Sequence, residues 1–206
     1  MNQNSWFSKE TNRFYQLIGN PPTLKISGVP MHRHIKITPL KDTELKIDAI
    51  KPRGIVLDTC TGLGYTAIYS ARIDDVKKVF TIERDSNVIE IAKLNSYSAE
   101  LFSNLKIEII NDDVFEKIKT FKDRMFDTII HDPPTLALAR ELYSRSFSKE
   151  LFRVLKNDGK LWHYAPEPGK MTGRNNLKET IMLNLKQAGF RKVFYDPKSM
   201  GVIAIK

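Results

Sequence analysis

The chain is poor in cysteine and in long apolar runs. Its 206 residues include one cysteine, Cys60, so an internal disulfide is impossible and no CxxC pair indicates a zinc or redox site. No apolar run approaches the roughly 18 residues that a membrane helix needs. The first ten residues, MNQNSWFSKE, are polar and do not resemble a secretion signal. These absences predict a soluble, cytoplasmic protein without a membrane segment and without a bound metal.

The formal net charge of +9 is unevenly distributed along the chain. Residues 1–53 hold nine Lys and Arg against four Asp and Glu, residues 54–139 hold ten against fourteen, and residues 140–206 hold fourteen against six. Basic flanks around an acidic centre suit a polyanionic partner. RNA is therefore a candidate partner, although a solvated lysine surface would give the same counts.

The hydrophobic pattern divides the chain at about residue 50. From residue 51 to 206, short apolar strands alternate with amphipathic helical patterns, which predicts a parallel sheet covered on both faces. The predicted strands are 55–57, 79–82, 106–110, 126–130, 160–163, 190–195 and 201–205, and the predicted helices are 65–71, 87–94, 114–120, 139–155 and 176–188. The fold class is therefore α/β, a Rossmann-like doubly wound seven-stranded sheet ending in an antiparallel hairpin.

Residues 1–50 are predicted to form a small appendage, a helix and a hairpin too short for an independent core. It should contain, in order, a helical stretch over 5–18 that stops at Gly19-Asn20-Pro21-Pro22, a hairpin of 23–27 and 32–37, and a short helix capped by Asp42.

A glycine loop runs from Asp58 to Gly64, between a predicted strand and a predicted helix. Glycines at such a point let the backbone approach a ligand and turn sharply. Alone the loop indicates only a nucleotide-type ligand, because nucleotide, flavin and S-adenosylmethionine (SAM) sites all use glycine loops. Asp58 at the strand end favours SAM, because a carboxylate would repel a pyrophosphate but can pair with the cationic amino-acid end of SAM.

Acidic residues also follow the next two predicted strands. Glu83 ends the second strand, where a carboxylate accepts hydrogen bonds from both ribose hydroxyls. Asp85 competes for that role but could equally cap the next helix. Asp112 follows the third strand and could accept from an adenine amino group, with Val114 against the ring, or could serve as a helix N-cap.

The fourth predicted strand ends in Asp132-Pro133-Pro134. Consecutive prolines fix an extended backbone, and in a doubly wound sheet this point faces the ligand crevice. The prolines could instead merely end the strand. His131, one residue earlier, is expected to be structural.

This order of motifs resembles class I SAM-dependent methyltransferases over residues 50–206. The resemblance implies SAM as cofactor, although Cys60 stands where that family usually has glycine. The cofactor-binding residues that it implies are Asp58, Thr59, Cys60, Gly62, Gly64, Glu83, Asp112, Asp113 and Val114.

The Asp132-Pro133-Pro134 segment resembles the (Asp/Asn)-Pro-Pro-aromatic motif of methyltransferases that act on planar nitrogens. The resemblance implies that these three residues orient the acceptor during an in-line methyl transfer, which needs positioning more than acid–base chemistry. Thr135 replaces the aromatic residue and cannot stack on a base. Tyr143, Phe147 or Tyr164 could substitute for it.

A second resemblance involves residues 141–159, which look like the stretch after the active site of the spermidine synthases, aminopropyltransferases that bind decarboxylated SAM. Pro133 and Pro134 stand where those enzymes carry further acids for a polyamine, and the net charge of +9 disfavours a polycationic substrate. The whole pattern is most similar to an archaeal methyltransferase group related to the spermidine synthases.

The sequence therefore favours SAM-dependent N-methylation of RNA or of another planar nitrogen substrate. The alternative is a spermidine-synthase-like aminopropyltransferase or a small-molecule methyltransferase. A nucleic-acid-binding module that retains SAM affinity without turnover is a third possibility, which the intact Asp132-Pro133-Pro134 motif disfavours.

Further polar residues are expected to border the substrate pocket. The candidates are His32, Arg33, Tyr143, His163 and Tyr164. His32 and His34 have metal-ligand spacing but no evident third ligand, and Trp162 is expected in the core. The basic loop 168–174 could gate the site, bind phosphate or simply be solvated.

Overall fold

The computed structural model describes residues 4–166 and 177–206, which form two sheets and flanking helices. The strands are β1 Ser5–Ser8, β2 Arg13–Gly19, β3 Pro22–Ile26, β4 Val29–Pro30, β5 Gly54–Asp58, β6 Val76–Glu83, β7 Ile107–Asn111, β8 Phe126–His131, β9 Leu155–Tyr164, β10 Arg191–Asp196 and β11 Gly201–Ile205. The helices are α1 Pro39–Ile50, α2 Tyr65–Ala71, α3 Ser86–Lys93, α4 Ala99–Ser103, α5 Val114–Lys117, α6 Arg145–Val154 and α7 Leu177–Ala188. Short 3-10 turns lie at Ser96–Ser98, Ile118–Thr120 and Arg140–Tyr143.

The larger sheet has seven strands in the order β10-β11-β9-β8-β5-β6-β7. Strands β5 to β9 are parallel to one another, whereas β11 runs antiparallel to both β9 and β10. The predicted α/β, Rossmann-like doubly wound seven-stranded sheet with a C-terminal antiparallel hairpin is thus confirmed. Strand order reverses at β5, so the carboxyl ends of β5, β6 and β8 meet at the edge where such sheets bind ligands.

The N-terminal sheet contains β1 to β4 in sequential antiparallel order. The predicted helix over residues 5–18 is wrong, because β1 and β2 occupy this stretch, with Phe7 opposite Phe14. In β2, Tyr15 and Leu17 are buried whereas Phe14 is exposed. This two-residue period belongs to a strand with one buried face, not to a helix.

The predicted hairpin after Pro21 is present but shorter than expected. Strands β3 and β4 pair Ile26 with Val29, and the intervening Ser27 and Gly28 have φ of 46° and 90°, as a two-residue hairpin turn requires. The predicted second strand over 32–37 is wrong, since β4 ends at Pro30. Proline has no amide hydrogen for a further rung of the ladder.

Helix α1 begins one turn before the predicted cap. Thr38 is the N-cap, its hydroxyl oxygen accepting from the Lys41 amide at 3.2 Å, and Pro39 occupies the first helical position, where its missing amide hydrogen costs nothing. Asp42 is therefore not the cap; it lies in the first turn with its side chain buried. This change moves Asp42 from a helix end to the inner face of the helix.

Two predicted helices are divided in the structure. Within the predicted helix 114–120, α5 ends at Lys117 and a 3-10 turn follows. Within the predicted helix 139–155, a 3-10 turn comes first, and α6 begins after Ser144. The Ser144 hydroxyl oxygen accepts from the Phe147 amide at 3.1 Å, the bond expected of an N-cap. The N-cap therefore fixes where α6 begins.

The N-terminal sheet shares one hydrophobic cluster with the large sheet. Tyr15 and Leu24 pack in the same cluster as Val56, Ile91 and Trp162. Trp162 is fully buried, as predicted, and its indole nitrogen donates to the Ser199 hydroxyl at 2.9 Å. The division at residue 50 stays a prediction. Within the described ranges, no helix is long and apolar enough to cross a bilayer.

Candidate active site

A cavity of about 420 Å³ lies between the carboxyl edge of the large sheet, helix α1 and the N-terminal sheet. Its wall combines the glycine loop, the ends of β6, β7 and β8, and apolar residues of β3 and β4. Residues from the N-terminal part of the chain thus form one wall of the cavity at the carboxyl edge of the sheet.

The two glycines of the loop act differently. Gly62 lies in the cavity wall with φ of 54°, and its amide donates to Oε2 of Glu83 at 3.0 Å. Gly64 is the N-cap of α2 with φ of 78°, and a Cβ there would come within 2.6 Å of a methyl carbon of Leu101. Gly62 thus leaves room at the ligand edge, whereas Gly64 allows close packing behind it.

Asp58 lies behind the loop rather than in the cavity wall. Its carboxylate oxygens accept from Thr66 at 3.0 Å and from Thr81 at 2.7 Å. Burial raises the pKa of Asp58 to about 7, against the two hydroxyl hydrogen bonds, which lower it. The structure therefore places Asp58 as a brace between β5, α2 and β6, and the predicted contact with the methionine end stays a prediction.

The next two loop residues, Thr59 and Cys60, do line the cavity. The Thr59 hydroxyl is hydrogen-bonded to Nδ1 of His131 at 2.7 Å. Burial raises the pKa of the Cys60 thiol well above its usual value, so the thiol is neutral at physiological pH. The loop accommodates a side chain where the family resemblance suggested glycine.

Glu83 ends strand β6 and faces the glycine loop. Its two oxygens accept from the amides of Gly62 and Asp85, each at 3.0 Å. Burial raises the pKa of Glu83 to about 7. The competing residue, Asp85, is the N-cap of α3 and accepts hydrogen bonds from the Asn87 amide and from the Tyr15 hydroxyl. Asp85 therefore has the helix-capping role considered for it, and ribose binding by Glu83 stays a prediction.

The acidic pair after β7 also lies in the cavity wall, together with Val114. Asp113 is the N-cap of α5, accepting from the Phe115 amide at 2.9 Å. Asp112 is half-exposed, and its carboxylate accepts from the Asp113 amide at 2.8 Å. Asp113, not Asp112, is therefore the N-cap, and Asp112 remains half-exposed in the cavity wall with Lys117 at 4.0 Å.

Asp132, Pro133 and Pro134 follow strand β8 in the same wall. Oδ2 of Asp132 lies 2.6 Å from the Lys46 ammonium, which also lies 2.8 Å from Oδ2 of Asp42. The other oxygen of Asp42 accepts from Arg33 at 2.8 Å. Two carboxylates and two cations thus form one chain from the cavity to the surface.

Lys46 and Asp42 were missed in the sequence analysis. Burial alone would lower the pKa of Lys46, but Asp132 and Asp42 outweigh it and raise the pKa above its usual value. Lys46 is therefore charged. A signal was present, since both residues fall at helical spacing within the buried stripe of α1, formed by Pro39, Asp42, Thr43, Lys46, Ile47 and Ile50.

Of the five predicted substrate-binding residues, only His32 lines the cavity. Burial lowers the pKa of His32 to about 3, so it is neutral, and its Nδ1 is hydrogen-bonded to the Thr23 hydroxyl at 2.9 Å. Arg33 instead binds Asp42. His34 contacts the His32 carbonyl oxygen, and the described part of the chain contains no cluster of three or more metal-ligating side chains.

Tyr143, His163 and Tyr164 lie around the cavity rather than in its wall. The Tyr143 hydroxyl donates to the Pro134 carbonyl oxygen at 2.8 Å. His163 is buried against the ring of His131, with ring centroids 4.5 Å apart. Tyr143 therefore supports the Pro-Pro turn.

None of the three aromatic substitutes suggested for Thr135 reaches the cavity wall in the described chain. Phe147 is buried and stacks on Phe115, with centroids 6.0 Å apart. The aromatic ring that the wall does contain belongs to Tyr65, the first residue of α2. The predicted gating loop 168–174 lies outside the described residues.

His131 is buried, as expected of a structural histidine. Its Nδ1 is hydrogen-bonded to Thr59 and its Nε2 to the Leu142 carbonyl oxygen at 3.0 Å. Burial lowers its pKa well below the usual value, so the ring is neutral and links the glycine loop to the segment after Pro134. The cavity therefore combines the glycine loop, the Glu83 carboxylate hydrogen-bonded to that loop, and the Asp132 carboxylate paired with Lys46.

The sequence of this chain is similar to a known domain family and to known proteins. Residues 62–197 match the model of the spermine/spermidine synthase domain. An uncharacterized protein of Methanocaldococcus jannaschii is 46% identical over 198 residues, which cover 95% of this chain and 68% of that protein. The polyamine aminopropyltransferase of Prochlorococcus marinus is 28% identical over 144 residues, covering 68% of this chain and 50% of that enzyme.

Solved structures share the fold. A spermidine synthase in complex with the transition state analogue AdoDATO has a TM-score of 0.76 at 20% identity, covering 98% of this chain and 72% of its own. The spermidine synthase of Thermotoga maritima gives 0.72 at 21% identity, over 98% of this chain and 71% of its own. A SAM-dependent methyltransferase from Aquifex aeolicus gives 0.56 at 21% identity, over 81% of this chain and 90% of its own. Because the first two superpositions cover 98% of this chain, they include the N-terminal sheet.

Proposed function

This chain belongs to the spermine/spermidine synthase domain family, and from that membership we propose that it transfers an aminopropyl group from decarboxylated SAM to an amine nitrogen. One observation carries the proposal. Asp132, at the end of β8, shares a cavity with Gly62 and Glu83, so a carboxylate able to orient a nucleophile faces a site suited to an adenosyl group. The similarity to a polyamine aminopropyltransferase supports the same chemistry.

The residues present fit an adenosyl sulfonium. Glu83 would hold the ribose hydroxyls, and Asp112 with Val114 would hold the adenine, all three in the cavity wall. Gly62 leaves space for close approach, because a Cβ there would meet only the His32 ring, at 3.9 Å. Decarboxylated SAM, when bound, supplies an electrophilic carbon beside a positively charged sulfur.

The proposed step is an in-line displacement. The lone pair of the acceptor nitrogen forms a bond to the aminopropyl carbon next to sulfur, while the carbon–sulfur bond breaks and its electrons return to sulfur, giving neutral methylthioadenosine. The alkylated nitrogen is then cationic and releases a proton to Asp132 or to water. Asp132 orients the attacking nitrogen, and the cavity contributes mainly proximity.

The experiment that tests the proposal supplies the purified protein with decarboxylated SAM or with SAM, each with a panel of amines and with RNA. We expect methylthioadenosine to form from decarboxylated SAM when an amine is present. S-Adenosylhomocysteine from SAM, without any methylthioadenosine from decarboxylated SAM, would contradict aminopropyl transfer.

Asp132→Asn is the matched variant for this assay. We expect it to lower the rate by about 10²–10⁴-fold, the usual contribution of a positioned acid–base group, with methylthioadenosine binding retained. Asp158→Asn is the control, because Asp158 is exposed and pairs with Arg191 on the far edge of the sheet.

Methyl transfer from SAM to a planar nitrogen is the second candidate. Pro133 and Pro134 line the cavity directly after Asp132, in the order found in methyltransferases with an (Asp/Asn)-Pro-Pro motif. The basic flanks of the sequence make RNA the acceptor to test. If SAM with a radiolabelled methyl group and RNA yield S-adenosylhomocysteine, and nuclease removes the label from the macromolecular fraction, this candidate replaces the first.

A further inference from the structure

His32 lies between the glycine loop and Asp132. Its Nε2 atom comes within 3.9 Å of the position that a Cβ would take on Gly62. The ring is also close to Lys46, since burial lowers the pKa of His32 and the Lys46 ammonium lowers it further. Lys46 in turn bonds Asp132 at 2.6 Å. All four residues line the cavity, so His32 faces the space between the two functional ends of the site.

The hydrogen bonds of Thr23 fix which ring nitrogen of His32 carries the hydrogen. The Thr23 hydroxyl donates to the Leu24 carbonyl oxygen at 3.4 Å and lies 2.9 Å from Nδ1 of His32. A hydroxyl has one hydrogen to donate, and a neutral imidazole has one donor and one acceptor nitrogen. Both bonds are made only if Nδ1 donates to the Thr23 oxygen. The lone pair of the ring is then on Nε2.

Nε2 of His32 is a hydrogen-bond acceptor that the protein itself does not use. Among the described residues, the ring makes its hydrogen bond through Nδ1, and Nε2 keeps contact with the cavity instead of being sealed in the core. The Tyr65 ring packs against His32 with centroids 5.4 Å apart, and the Tyr65 hydroxyl donates to the Pro22 carbonyl oxygen at 2.8 Å. The acceptor is therefore held in place before a ligand binds.

His32 is suited to accept a hydrogen bond and not to act as a general base. Burial lowers its pKa to about 3, so the ring is neutral at physiological pH and its lone pair is free. Efficient proton transfer requires a pKa near the operating pH, and His32 is too weak a base to take the proton that an alkylated nitrogen releases. Its lone pair would instead attract a group that keeps its hydrogens, such as an ammonium.

The donor proposed above would bring an ammonium to this region. Decarboxylated SAM carries its primary ammonium at the end of the three-carbon chain that begins at the sulfur. With the ribose at Glu83 and the reacting carbon facing Asp132, this chain lies between the glycine loop and Asp132, where His32 lines the cavity. Cys60, in the loop, contributes a neutral thiol, which is a weak acceptor.

We propose that Nε2 of His32 accepts a hydrogen bond from the primary ammonium of the donor, which makes His32 a donor-binding residue. The proposal rests on the proposed aminopropyl transfer and names the part of the donor that this residue binds. A hydrogen bond at the end of the three-carbon chain limits its orientations and favours those in which the carbon next to sulfur faces Asp132. Methylthioadenosine lacks the ammonium, so this contact contributes nothing to its binding.

The first test is calorimetry on the wild-type protein without any acceptor amine. It compares decarboxylated SAM with its S-propyl analogue, the same sulfonium with a hydrogen atom in place of the amine. We expect the analogue to bind about tenfold or more weakly, the usual effect of losing a hydrogen bond to a charged group. Equal affinities would overturn the proposal, and this comparison does not depend on any variant folding.

His32→Leu assigns the contact to this residue. We expect it to weaken the binding of decarboxylated SAM by about tenfold and to leave the affinity for methylthioadenosine unchanged. His32→Gln should recover part of the loss, because its side-chain oxygen can also accept. His34→Leu is the control, since His34 lies outside the cavity wall. Damage to the fold would weaken both ligands, so an equal loss for the two, or no loss, would overturn the assignment of His32.

These outcomes are separate from the test of aminopropyl transfer. If His32→Leu leaves donor affinity intact but raises the KM of the acceptor amine, the residue binds the acceptor, which overturns the proposal and leaves the transfer intact. If no amine in the panel yields methylthioadenosine, the transfer is contradicted, whereas a selective loss of donor binding in His32→Leu would still support the contact. Failure of the wild-type protein to bind decarboxylated SAM would overturn both.

Discussion

The backbone amide of Gly62 donates a hydrogen bond of 3.0 Å to Oε2 of Glu83, which ties the glycine loop to the end of strand β6. The same carboxylate accepts from the Asp85 amide through its other oxygen. Loop and strand end are therefore fixed relative to each other, so Glu83 is held in place before any ligand binds.

Glu83→Gln should weaken the binding of methylthioadenosine by about tenfold, because hydrogen bonds to a charged group are worth roughly 1–2 kcal/mol more than neutral ones. Since burial raises the pKa of Glu83 to about 7, wild-type affinity should also increase as pH rises through 7, and the variant should lose this dependence. Calorimetry at several pH values measures both effects. Glu90→Gln, an exposed residue of α3, is the control, and unchanged affinity in Glu83→Gln would remove Glu83 as the ribose ligand.

The large sheet could be predicted from the sequence because its strands and helices repeat a strong local pattern. Strands β1 and β2 could not, since β2 buries only Tyr15 and Leu17 and so carries few alternating positions. Their burial depends on the large sheet, with which they share a hydrophobic cluster. Tertiary contact therefore decided the structure where the local pattern was weak.

The candidate site also contains residues that could be predicted from the sequence and one that could not. Glu83 and Asp132 could be identified because strand ends of a doubly wound sheet converge at one edge. The partner of Asp132 could not, because Lys46 lies 86 positions earlier in the chain, on an element outside the repeating pattern. The only indication in the sequence was that Asp42 and Lys46 are four positions apart, which places them on the same face of α1, the face that is buried.

Gly64→Ala should destabilise the protein more than Gly28→Ala. Both glycines have positive φ, 78° and 90°, so each substitution costs about 1–2 kcal/mol in backbone conformation. A Cβ at Gly64 would also lie 2.6 Å from Leu101, whereas nothing lies within 4 Å at Gly28. Overpacking should add about 1–3 kcal/mol.

Urea unfolding of the two variants measures this difference directly. Adding Leu101→Ala to each variant completes the comparison. It removes the methyl groups that would clash with a Cβ at Gly64, whereas it changes no contact of a Cβ at Gly28. If Gly64→Ala and Gly28→Ala lower the free energy of unfolding equally, the close packing of Gly64 against Leu101 is ruled out. It is also ruled out if the difference between the two variants persists when Leu101→Ala is present.

Asp58→Asn should change how stability depends on pH. Folding raises the pKa of Asp58 from 3.8 to about 7, so between these values the native state binds more protons than the unfolded state. The Asp58 contribution to the free energy of unfolding is then greatest below the unfolded pKa and declines as pH rises towards 7. The free energy of wild type minus that of the variant should fall across this window, by at most about 4 kcal/mol.

Urea unfolding at pH 4, 5.5, 7 and 8.5 measures this difference. Asp48→Asn, an exposed position on α1, controls for the loss of one carboxyl group. A difference between wild type and Asp58→Asn that rises with pH would mean that Asp58 is buried as a stabilised carboxylate, and would contradict the effect of burial described above.

Lys46→Met should lower the free energy of unfolding by about 3–5 kcal/mol, because removing one partner of a buried ion pair leaves uncompensated charges behind. Here the uncompensated charge is Asp132, because Asp42 keeps its ion pair with Arg33, and the Lys46 side chain that both carboxylates share is only 5% exposed. Lys41→Met on the same helix breaks an exposed pair with Glu44 and should cost less than about 1 kcal/mol. Chemical denaturation of both variants gives the comparison, and a loss in Lys46→Met no larger than in Lys41→Met would refute the buried charge network. Adding Asp132→Asn to Lys46→Met should then recover part of the loss, because a neutral amide costs less to bury than an unpaired carboxylate. Packing defects alone predict no such recovery, so the double variant assigns the destabilisation to charge.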